Sequence, residues 1–333
     1  MVKKEVGIGF VDGAPLSETV SYAALAEKRG FGSCWVTEDY FYRGAFSLAS
    51  ACAANTKKMR LGIGTVNPYT RHPALIAMEA AAFDEVSNGR FVLGIGASIR
   101  YWIEHQMGLK YSKQLASLRD CVEIVRKMFM SGKVEHSGEA FKLRNSSLLF
   151  KPLRSRIPIY IGAMGPKMLQ LCGEIGDGVI LSILTSVPYT KYALENLRIG
   201  AQRAGRKLTD FEVVAYLPLS VSKKSAEAKK AIKPILGVYI AEIGVHPLTV
   251  EAGMKEEQIE PLKKAFPHGD KLAKLVTDEL VDTFAVAGTP DECIDRLKAY
   301  RAAGVDVLVG VQPPRPKEMI DLVGKEVIPH LKK

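Results

Sequence analysis

The sequence predicts an α/β protein in which eight parallel strands close into a (β/α)8 barrel, the TIM-barrel architecture. Short apolar, β-branched runs alternate with helical patterns along the 333 residues. Strands that are apolar on both faces and are separated by helices are typical of a parallel sheet. Eight strand–helix units without a long linker favour a closed barrel over an open doubly wound sheet. We therefore expect a single barrel domain over residues 1–333.

The strand and helix patterns follow one another in a regular order. Strands are predicted at residues 6–11, 33–37, 59–64, 91–96, 157–162, 178–182, 211–221 and 305–311. Helices are predicted at residues 16–28, 46–54, 73–86, 115–130, 166–175, 189–204, 290–303 and 317–331. Proline in a first helical turn, as at Pro73, and glycine just after a helix, as at Gly30, support these boundaries.

Two insertions interrupt the repeat, one after strand four and one after strand seven. Residues 131–155 are polar and rich in turn residues, which predicts a hairpin or an irregular excursion. Residues 226–280 are largely helical in pattern and precede the seventh helix of the repeat. Because insertions that follow a barrel strand lie at the catalytic end of the barrel, we expect them to build the rim of the site.

The charge balance indicates an anionic small ligand. The chain has 46 Lys and Arg against 36 Asp and Glu, a net charge of +10, and its pI is near 9.2. A basic balance favours anionic partners. The lysines are dispersed, without the interleaved aromatic residues with which proteins bind single-stranded nucleic acid. We therefore expect a phosphorylated or polycarboxylated small molecule and no nucleic acid.

The apolar runs and the cysteines indicate the cellular compartment of the protein. No apolar run approaches the ~20 residues that a membrane-spanning helix needs, and the N-terminal residues do not resemble a signal peptide. The five cysteines are dispersed without Cys-x-x-Cys spacing. This pattern is typical of reduced thiols, so we expect a cytoplasmic protein with no membrane partner.

The loops that follow the strands hold the candidate catalytic residues, because a barrel places its site there. Three acidic residues occur in these loops, and a carboxylate at the mouth can transfer protons: Glu38, Asp39 and Glu104. A solvated rim position or a helix cap explains each of them singly as well. Other polar residues of these loops are Asp12, His105 and Gln312.

A run of small residues lies between strand five and the next helix: Gly162, Ala163, Met164 and Gly165. Small residues let a backbone approach a ligand, and the amides of a helix N-terminus suit a phosphate group. A tight turn that requires positive φ explains the same glycines equally well.

Several other chemistries lack their sequence patterns. The six histidines have no metal-site spacing, no Gly-x-Ser-x-Gly follows a strand, and no phosphate-binding P-loop occurs. We therefore expect no metal. A barrel mouth of small and aromatic residues favours a flat organic cofactor.

Several motifs resemble the bacterial-luciferase-like family of barrel oxidoreductases. The most specific is SNGRFVLGIG at residues 87–96, within the longer run 72–96. The segments at residues 30–40, 157–166 and 287–309 are also similar, in the expected order. Within the family, residues 61–73 and 157–180 resemble the methylenetetrahydromethanopterin reductases, which use coenzyme F420, a 5-deazaflavin.

The resemblance implies an F420-dependent oxidoreductase of one-carbon metabolism with a pterin substrate, and a homodimer or homotetramer. It also implies a non-prolyl cis peptide at the end of strand three, by position Gly64–Thr65, in a bulge that backs the deazaflavin ring. The candidates for proton transfer in such a reaction are the three carboxylates of the strand-end loops, Glu38, Asp39 and Glu104. The implied cofactor-binding residues are Gly9, Asp39, Gly64, Thr65, Val66, Asn67, Gly96, Ala97, Gly162, Ala163, Met164, Gly165 and Ser182.

Two positions depart from the reductase pattern. Gly9 stands where the reductases carry a Glu, and Glu38-Asp39 stands where they carry Asp-His. These departures leave two alternatives open. One is an FMN-dependent monooxygenase or reductase of the same family, and the other is a barrel that binds a cofactor without catalysis.

Overall fold

A computed structural model describes residues 4–10, 14–209, 211–311 and 315–331, and it confirms the predicted (β/α)8 barrel. Among the described residues, eight parallel strands pair side by side, and the ring closes where β8 pairs with β9 and β11 with β1. The barrel strands are β1 (Glu5–Phe10), β2 (Ser33–Val36), β3 (Arg60–Val66), β4 (Phe91–Gly96), β7 (Ile159–Gly162), β8 (Gly178–Leu181), β9 (Glu212–Val221) and β11 (Val307–Val311).

Helices cover the outside of the barrel between successive strands. They are α1 (Leu16–Lys28), α2 (Ala45–Ala54), α3 (Pro73–Val86), α4 (Gln114–Ser131), α5 (Pro166–Ile175), α6 (Val187–Arg203), α12 (Pro290–Ala302) and α13 (Pro316–Leu322). Each matches a predicted helix to within a few residues at its start. After α13 the chain continues as a π-helical turn and then as a 3-10 turn. The last predicted helix, residues 317–331, is therefore a continuous helical segment that changes from α to π to 3-10 geometry.

The barrel interior is packed with side chains. Three aromatic rings fill much of it, with the Trp35 ring centroid 6.2 Å from that of Tyr160 and 6.2 Å from that of Tyr216. At the N-terminal end, the Arg60 guanidinium lies 2.7 Å from Glu5 and 2.5 Å from Glu212. In the described part of the chain these ion pairs cover the N-terminal end of the barrel, so we expect a ligand at the carboxyl ends of the strands.

In the SNGR motif, Asn88 and Gly89 make a turn and Arg90 makes hydrogen bonds to neighbouring elements. Asn88 and Gly89 both have positive φ, 52° and 73°, which turns the chain sharply after α3. Arg90 then donates to the Met59 carbonyl at 2.7 Å and the Ala53 carbonyl at 3.0 Å. The motif thereby ties the end of α2 and the start of β3 to β4.

The first insertion is a hairpin, β5 (Lys133–Ser137) and β6 (Lys142–Ser147). It follows α4 rather than β4 itself, so its place differs from the expected one. The Asp120 carboxylate of α4 accepts hydrogen bonds from the amides of Ala140 and Phe141 at 2.7 and 3.0 Å. The hairpin is therefore fixed along α4 on the outside of the barrel.

The second insertion is helical, as predicted. It comprises α7 (Ser225–Ile243), α8 (Pro247–Val250), α9 (Glu256–Ala265), α10 (Gly269–Leu275) and α11 (Asp278–Phe284). The short strand β10 (Val286–Gly288) then pairs with β9 outside the ring. This insertion follows β9, so it starts at the end of the barrel at which the candidate site lies.

Two local differences from the sequence expectation concern the site. Glu104 and His105 lie in a π-helical turn, Tyr101–Gln106, rather than in an irregular loop. The first strand is described only to Phe10, and Val11, Asp12 and Gln312 lie outside the described residues.

Candidate functional site

The carboxyl end of β3 carries a bulge. Ile63 pairs with Leu93 and Val66 with Ile95, so β3 has one residue more than β4 between these pairs. The Gly64–Thr65 peptide bond in the bulge is cis, which confirms the geometry implied by the resemblance. The bulge moves the Thr65 side chain out of the strand register and over the ends of the next strands.

Glycines surround the Thr65 side chain and leave a flat surface. A Cβ on Gly96 would stand 2.6 Å from Thr65 Oγ1, and one on Gly162 would stand 2.9 Å from Thr65 Cγ2. Real Cβ atoms do not approach so closely, so side chains at these two positions need Thr65 to move. The structure thus brings Gly64, Thr65, Gly96 and Gly162 together at the carboxyl ends of β3, β4 and β7, and we call this group the glycine floor.

Gly9 of β1 closes the opposite side of this floor. A Cβ at Gly9 would stand 2.5 Å from Val311 Cγ1, so Val311 fills the space of a side chain there. Val311 would therefore have to move before this position could take a side chain such as Glu. Val66 is fully buried and its side chain belongs to the core, whereas Ala97 is half-buried at the end of β4.

Asn67 organises the loop after β3. Its side chain is 2% exposed, and its Oδ1 accepts from the amides of Tyr69 and Thr70 at 2.9 and 3.0 Å. Its Nδ2 donates to the Tyr40 hydroxyl and to Thr70 Oγ1. Since its donor and acceptor atoms are used within the loops, Asn67 joins the loops after β2 and β3.

Both carboxylate oxygens of Glu38 have partners in neighbouring segments. Its Oε1 lies 2.5 Å from the Arg71 guanidinium, and its Oε2 accepts from the Ala45 amide at 3.3 Å, at the start of α2. The side chain is 12% exposed. Both oxygens are therefore held by partners that fix the loop after β2.

Asp39 is half-buried at the mouth. It accepts a hydrogen bond from Thr37 Oγ1 at 2.9 Å. Desolvation raises the pKa of Glu242 on α7, and the Asp39 carboxylate raises it further. Burial likewise raises the pKa of the Tyr216 hydroxyl, with Asp39 as the next cause. Asp39 is thus a common cause of the raised pKa values of Tyr216 in the barrel interior and Glu242 on α7.

Glu104 lies on the π-helical turn. It pairs with Arg100 at 2.5 Å and accepts from the Tyr111 amide at 3.3 Å. The hydrogen bond from Arg100 is the main reason why the pKa of Glu104 is lowered. None of these bonds joins Glu104 to the glycine floor. The neighbouring His105 is exposed.

The start of α5 is open. Gly165 is the residue before this helix, and a Cβ there would meet no atom within 4 Å. The Met164 carbonyl accepts from the Tyr189 hydroxyl at 2.7 Å, which fixes the turn. Ala163 is buried, and Ser182 is half-buried at the end of neighbouring β8. Lys167 in the first turn of α5 is exposed.

Sequence reasoning missed two residues of the mouth, Tyr216 and Glu242. Tyr216 reads as one more apolar residue of a buried strand, and Glu242 lies in an insertion whose path the sequence does not reveal. Contacts between distant elements, which no local spacing encodes, bring both near Asp39.

Two absences hold for the described part of the chain. No group of three or more His, Cys, Asp or Glu side chains there is arranged to hold a metal ion. In the same residues, no helix combines the length and the apolar character that a membrane span requires.

Comparison with known proteins identifies the family to which the chain belongs. The family model described as luciferase-like monooxygenase matches residues 2–307. The chain is 39% identical over 335 residues to the 5,10-methylenetetrahydromethanopterin reductase of Archaeoglobus fulgidus, covering 98% of this chain and 99% of that protein. It is 33% identical to the reductase of the same name from Methanolobus tindarius, covering 97% and 99%.

A solved structure is also similar over nearly the whole chain. It is that of the coenzyme F420 dependent tetrahydromethanopterin reductase from Methanopyrus kandleri. The two structures agree with a TM-score of 0.91 at 28% sequence identity, covering 99% of this chain and 100% of the other.

Proposed function

Since this chain belongs to the luciferase-like monooxygenase family, we propose that it is an F420-dependent oxidoreductase. The reaction is hydride transfer between reduced coenzyme F420 and the one-carbon unit of methylenetetrahydromethanopterin. The relatives that resemble it over nearly their full length bear the name of this reductase. They favour this function over an FMN-dependent monooxygenase and over a barrel without catalysis.

The observation in this chain that carries the proposal is the glycine floor at the β3 bulge. Side chains at Gly64, Gly96 and Gly162 are excluded, because a Cβ at each would meet a neighbouring atom within 3.0 Å. These three positions therefore present no side chain of their own to a planar deazaflavin. The residues present therefore fit the cofactor. Gly64, Thr65, Val66, Gly96 and Ala97 would hold its ring by backbone and short side chains.

Coenzyme F420, when bound in its reduced form, supplies the hydride. The protein's share is to orient the two rings, to exclude water and to balance the charge that shifts between them. Asp39 is the side chain that we assign to the proton or charge at the reacting centre. Glu38 acts through the loop, because its oxygens are held by Arg71 and Ala45.

The anionic tail of the cofactor is assigned to the start of α5. The amides of the first helical turn and the positive end of the helix dipole attract a phosphate. Gly162, Ala163, Met164 and Gly165 would provide the approach, with Ser182 beside them. The exposed Lys167 adds a positive charge, in keeping with the net charge of +10.

Glu104 remains a candidate on the substrate side of the mouth. Its carboxylate is held by Arg100 and by the Tyr111 amide, so its proposed role is to fix the π-helical turn that faces incoming substrate. Gly9 brings no carboxylate to the carboxyl end of β1. We assign the acidic role at the mouth to Asp39 instead.

The experiment is a steady-state assay with reduced F420 and methylenetetrahydromethanopterin. We expect oxidation of F420 that depends on the pterin and saturates with it. Oxidation of reduced FMN with oxygen, and none of reduced F420, would overturn the proposal. Enzyme in which Asp39 is replaced by Asn is the matched control for contaminating reductase.

We further propose that the protein forms a homodimer, with a homotetramer as the larger alternative. The outer face of α3 exposes Leu75, Met78 and Val86, and Leu149 after β6 is 97% exposed. Apolar side chains at such spacing form a stripe that a second copy can cover. Sedimentation of the wild type and of Met78→Lys decides this, since the variant is expected to be monomeric.

We also propose that the enzyme acts in the cytoplasm. All five cysteines are buried free thiols in the structure: Cys34, Cys52, Cys121, Cys172 and Cys293. Proteins of oxidising compartments pair such residues as disulfides.

A further inference from the structure

Tyr216 stands at the upper end of the barrel interior, directly below the proposed ring site. On β9 it follows Ala215, which pairs with Leu181, the last residue of β8. On its other side Tyr216 pairs with Val309 of β11. Its ring packs edge-on against Trp35, with centroids 6.2 Å apart. The hydroxyl therefore points from the aromatic stack toward the carboxyl ends of the strands.

The hydroxyl occupies the space of the missing Gly64 side chain. A Cβ on Gly64 would stand 2.2 Å from Tyr216 Oη, and 3.2 Å from both Tyr216 Cζ and Ile180 Cδ1. The hydroxyl alone thus makes the severe clash, while the ring and Ile180 would be tight neighbours. Tyr216 supports the β3 bulge from below at the residue that begins the glycine floor.

This hydroxyl has no hydrogen-bond partner in the described part of the chain, although Tyr216 is only 4% exposed. Other buried tyrosines are satisfied: Tyr189 donates to the Met164 carbonyl at 2.7 Å, and Tyr300 to the Thr185 carbonyl at 2.8 Å. Tyr160, in the same aromatic stack, donates to Glu212. A buried donor without an acceptor is unfavourable, and native proteins keep one where function requires it.

We propose that Tyr216 is a positioning residue of the ring site, whose hydroxyl sets the height of Gly64 and gains its hydrogen-bond acceptor only when the site is occupied. The acceptor is a polar atom of the bound ring or a water that the ring encloses. Burial, and after it the Asp39 carboxylate, raise the pKa of Tyr216, so the hydroxyl stays protonated as a donor. The inference rests on the proposed function, because it assigns the occupant to F420.

The first test is Tyr216→Phe, measured by thermal unfolding without ligand and by F420 binding. Removing an unpartnered hydroxyl should leave the midpoint of unfolding unchanged or raise it. Loss of its bond in the complex should raise the Kd for F420 about 3- to 10-fold. A lowered midpoint with unchanged Kd would show a purely structural hydroxyl and overturn the proposal.

Tyr160→Phe is the matched control. It removes a hydroxyl that is already hydrogen-bonded to Glu212 at the closed end of the same barrel. We expect the reverse pattern, with a lower midpoint of unfolding and an unchanged Kd. If both variants behave alike, the assignment to Tyr216 fails.

The second test is a double-mutant cycle with Gly64→Ala. The single variant should unfold at lower temperature and bind F420 weakly, because its methyl group meets the Tyr216 hydroxyl. The combination with Tyr216→Phe should recover much of both losses, and strict additivity would contradict the contact. If the wild type binds no F420, the proposed function fails. The unfolding midpoints of the four proteins then still decide whether Tyr216 positions Gly64.

Discussion

Thr65 Oγ1 lies 2.6 Å from the point at which a Cβ on Gly96 would stand. The Thr65 side chain at the end of β3 thus occupies the space that a side chain at Gly96, at the end of β4, would need. The same side chain covers Gly162 one strand further along the ring. This part of the floor therefore depends on Thr65 of β3, Gly96 of β4 and Gly162 of β7, and the two glycines leave the space that the Thr65 side chain occupies.

Gly96→Ala should weaken F420 binding. The new methyl group must push Thr65 toward the ring, and inserting a methyl group into a packed place costs about 1–3 kcal/mol. We expect the Kd for F420 to rise about 5- to 100-fold by fluorescence titration. Gly44→Ala is the control, because its Cβ would be 3.9 Å from the nearest atom. Equal Kd values for wild type and Gly96→Ala would show that the ring does not rest on this floor.

Gly165→Glu should raise stability and lower affinity at the same time. A Cβ at this position meets no atom within 4 Å, so the fold accepts a side chain there. A carboxylate before α5 stabilises the helix by about 0.3–1 kcal/mol, but it repels an anionic tail from the same amides. Chemical unfolding and F420 titration measure the two effects, with Gly165→Ala as the uncharged control. An affinity unchanged by the glutamate would place the tail elsewhere.

The variants Asp39→Asn and Glu38→Gln should distinguish the catalytic role proposed for Asp39 from the structural role proposed for Glu38 in the loop after β2. The asparagine can still accept from Thr37 but carries no charge, so we expect kcat to fall about 100-fold with a small change in F420 affinity. Glu38→Gln weakens the ion pair with Arg71, so its main effect should be a loss of about 1–3 kcal/mol in stability. Measured kcat and unfolding free energies test both variants. A loss of kcat in Glu38→Gln together with a loss of stability in Asp39→Asn would contradict the roles assigned to the two residues.

Glu27 should make stability depend on pH in the acidic range. Partial burial favours its neutral form, but the amides of Lys57, Lys58 and Met59 bind the carboxylate, and the net pKa is lowered below 4.5. A lowered pKa contributes stability that is complete above the unfolded-state value and is lost as pH falls through the folded-state value. Glu27→Gln should therefore cost about 1 kcal/mol at neutral pH. That cost should shrink below about pH 4. A constant difference across pH would refute the charge contribution.

Most of the barrel could be predicted from the sequence, because its signals are local. Apolar runs of β-branched residues, proline at helix starts and glycine after helix ends all lie within the elements that they define. The π-helical turn at Tyr101–Gln106 carries no such signal, since it differs from an irregular loop only in its hydrogen bonds. The place of the hairpin depends on Asp120 and two distant amides.

The candidate site could be predicted only in part. The bulge at Gly64–Thr65 came from resemblance to a family and agrees with the structure. Neighbouring carboxylates such as Glu38 and Asp39 look alike in sequence, and it is their different partners in the fold that distinguish them, Arg71 for Glu38 and Thr37 for Asp39. Tyr216 could not be singled out, because its missing hydrogen bond is a property of the folded interior.

Titration of the ligand-free protein with oxidised F420 and, separately, with FMN tests the central claim most directly. Quenching of intrinsic or ligand fluorescence gives both dissociation constants under one set of conditions. The account predicts a micromolar Kd for F420 and binding of FMN at least about tenfold weaker. Tighter binding of FMN, or binding of neither, would contradict it.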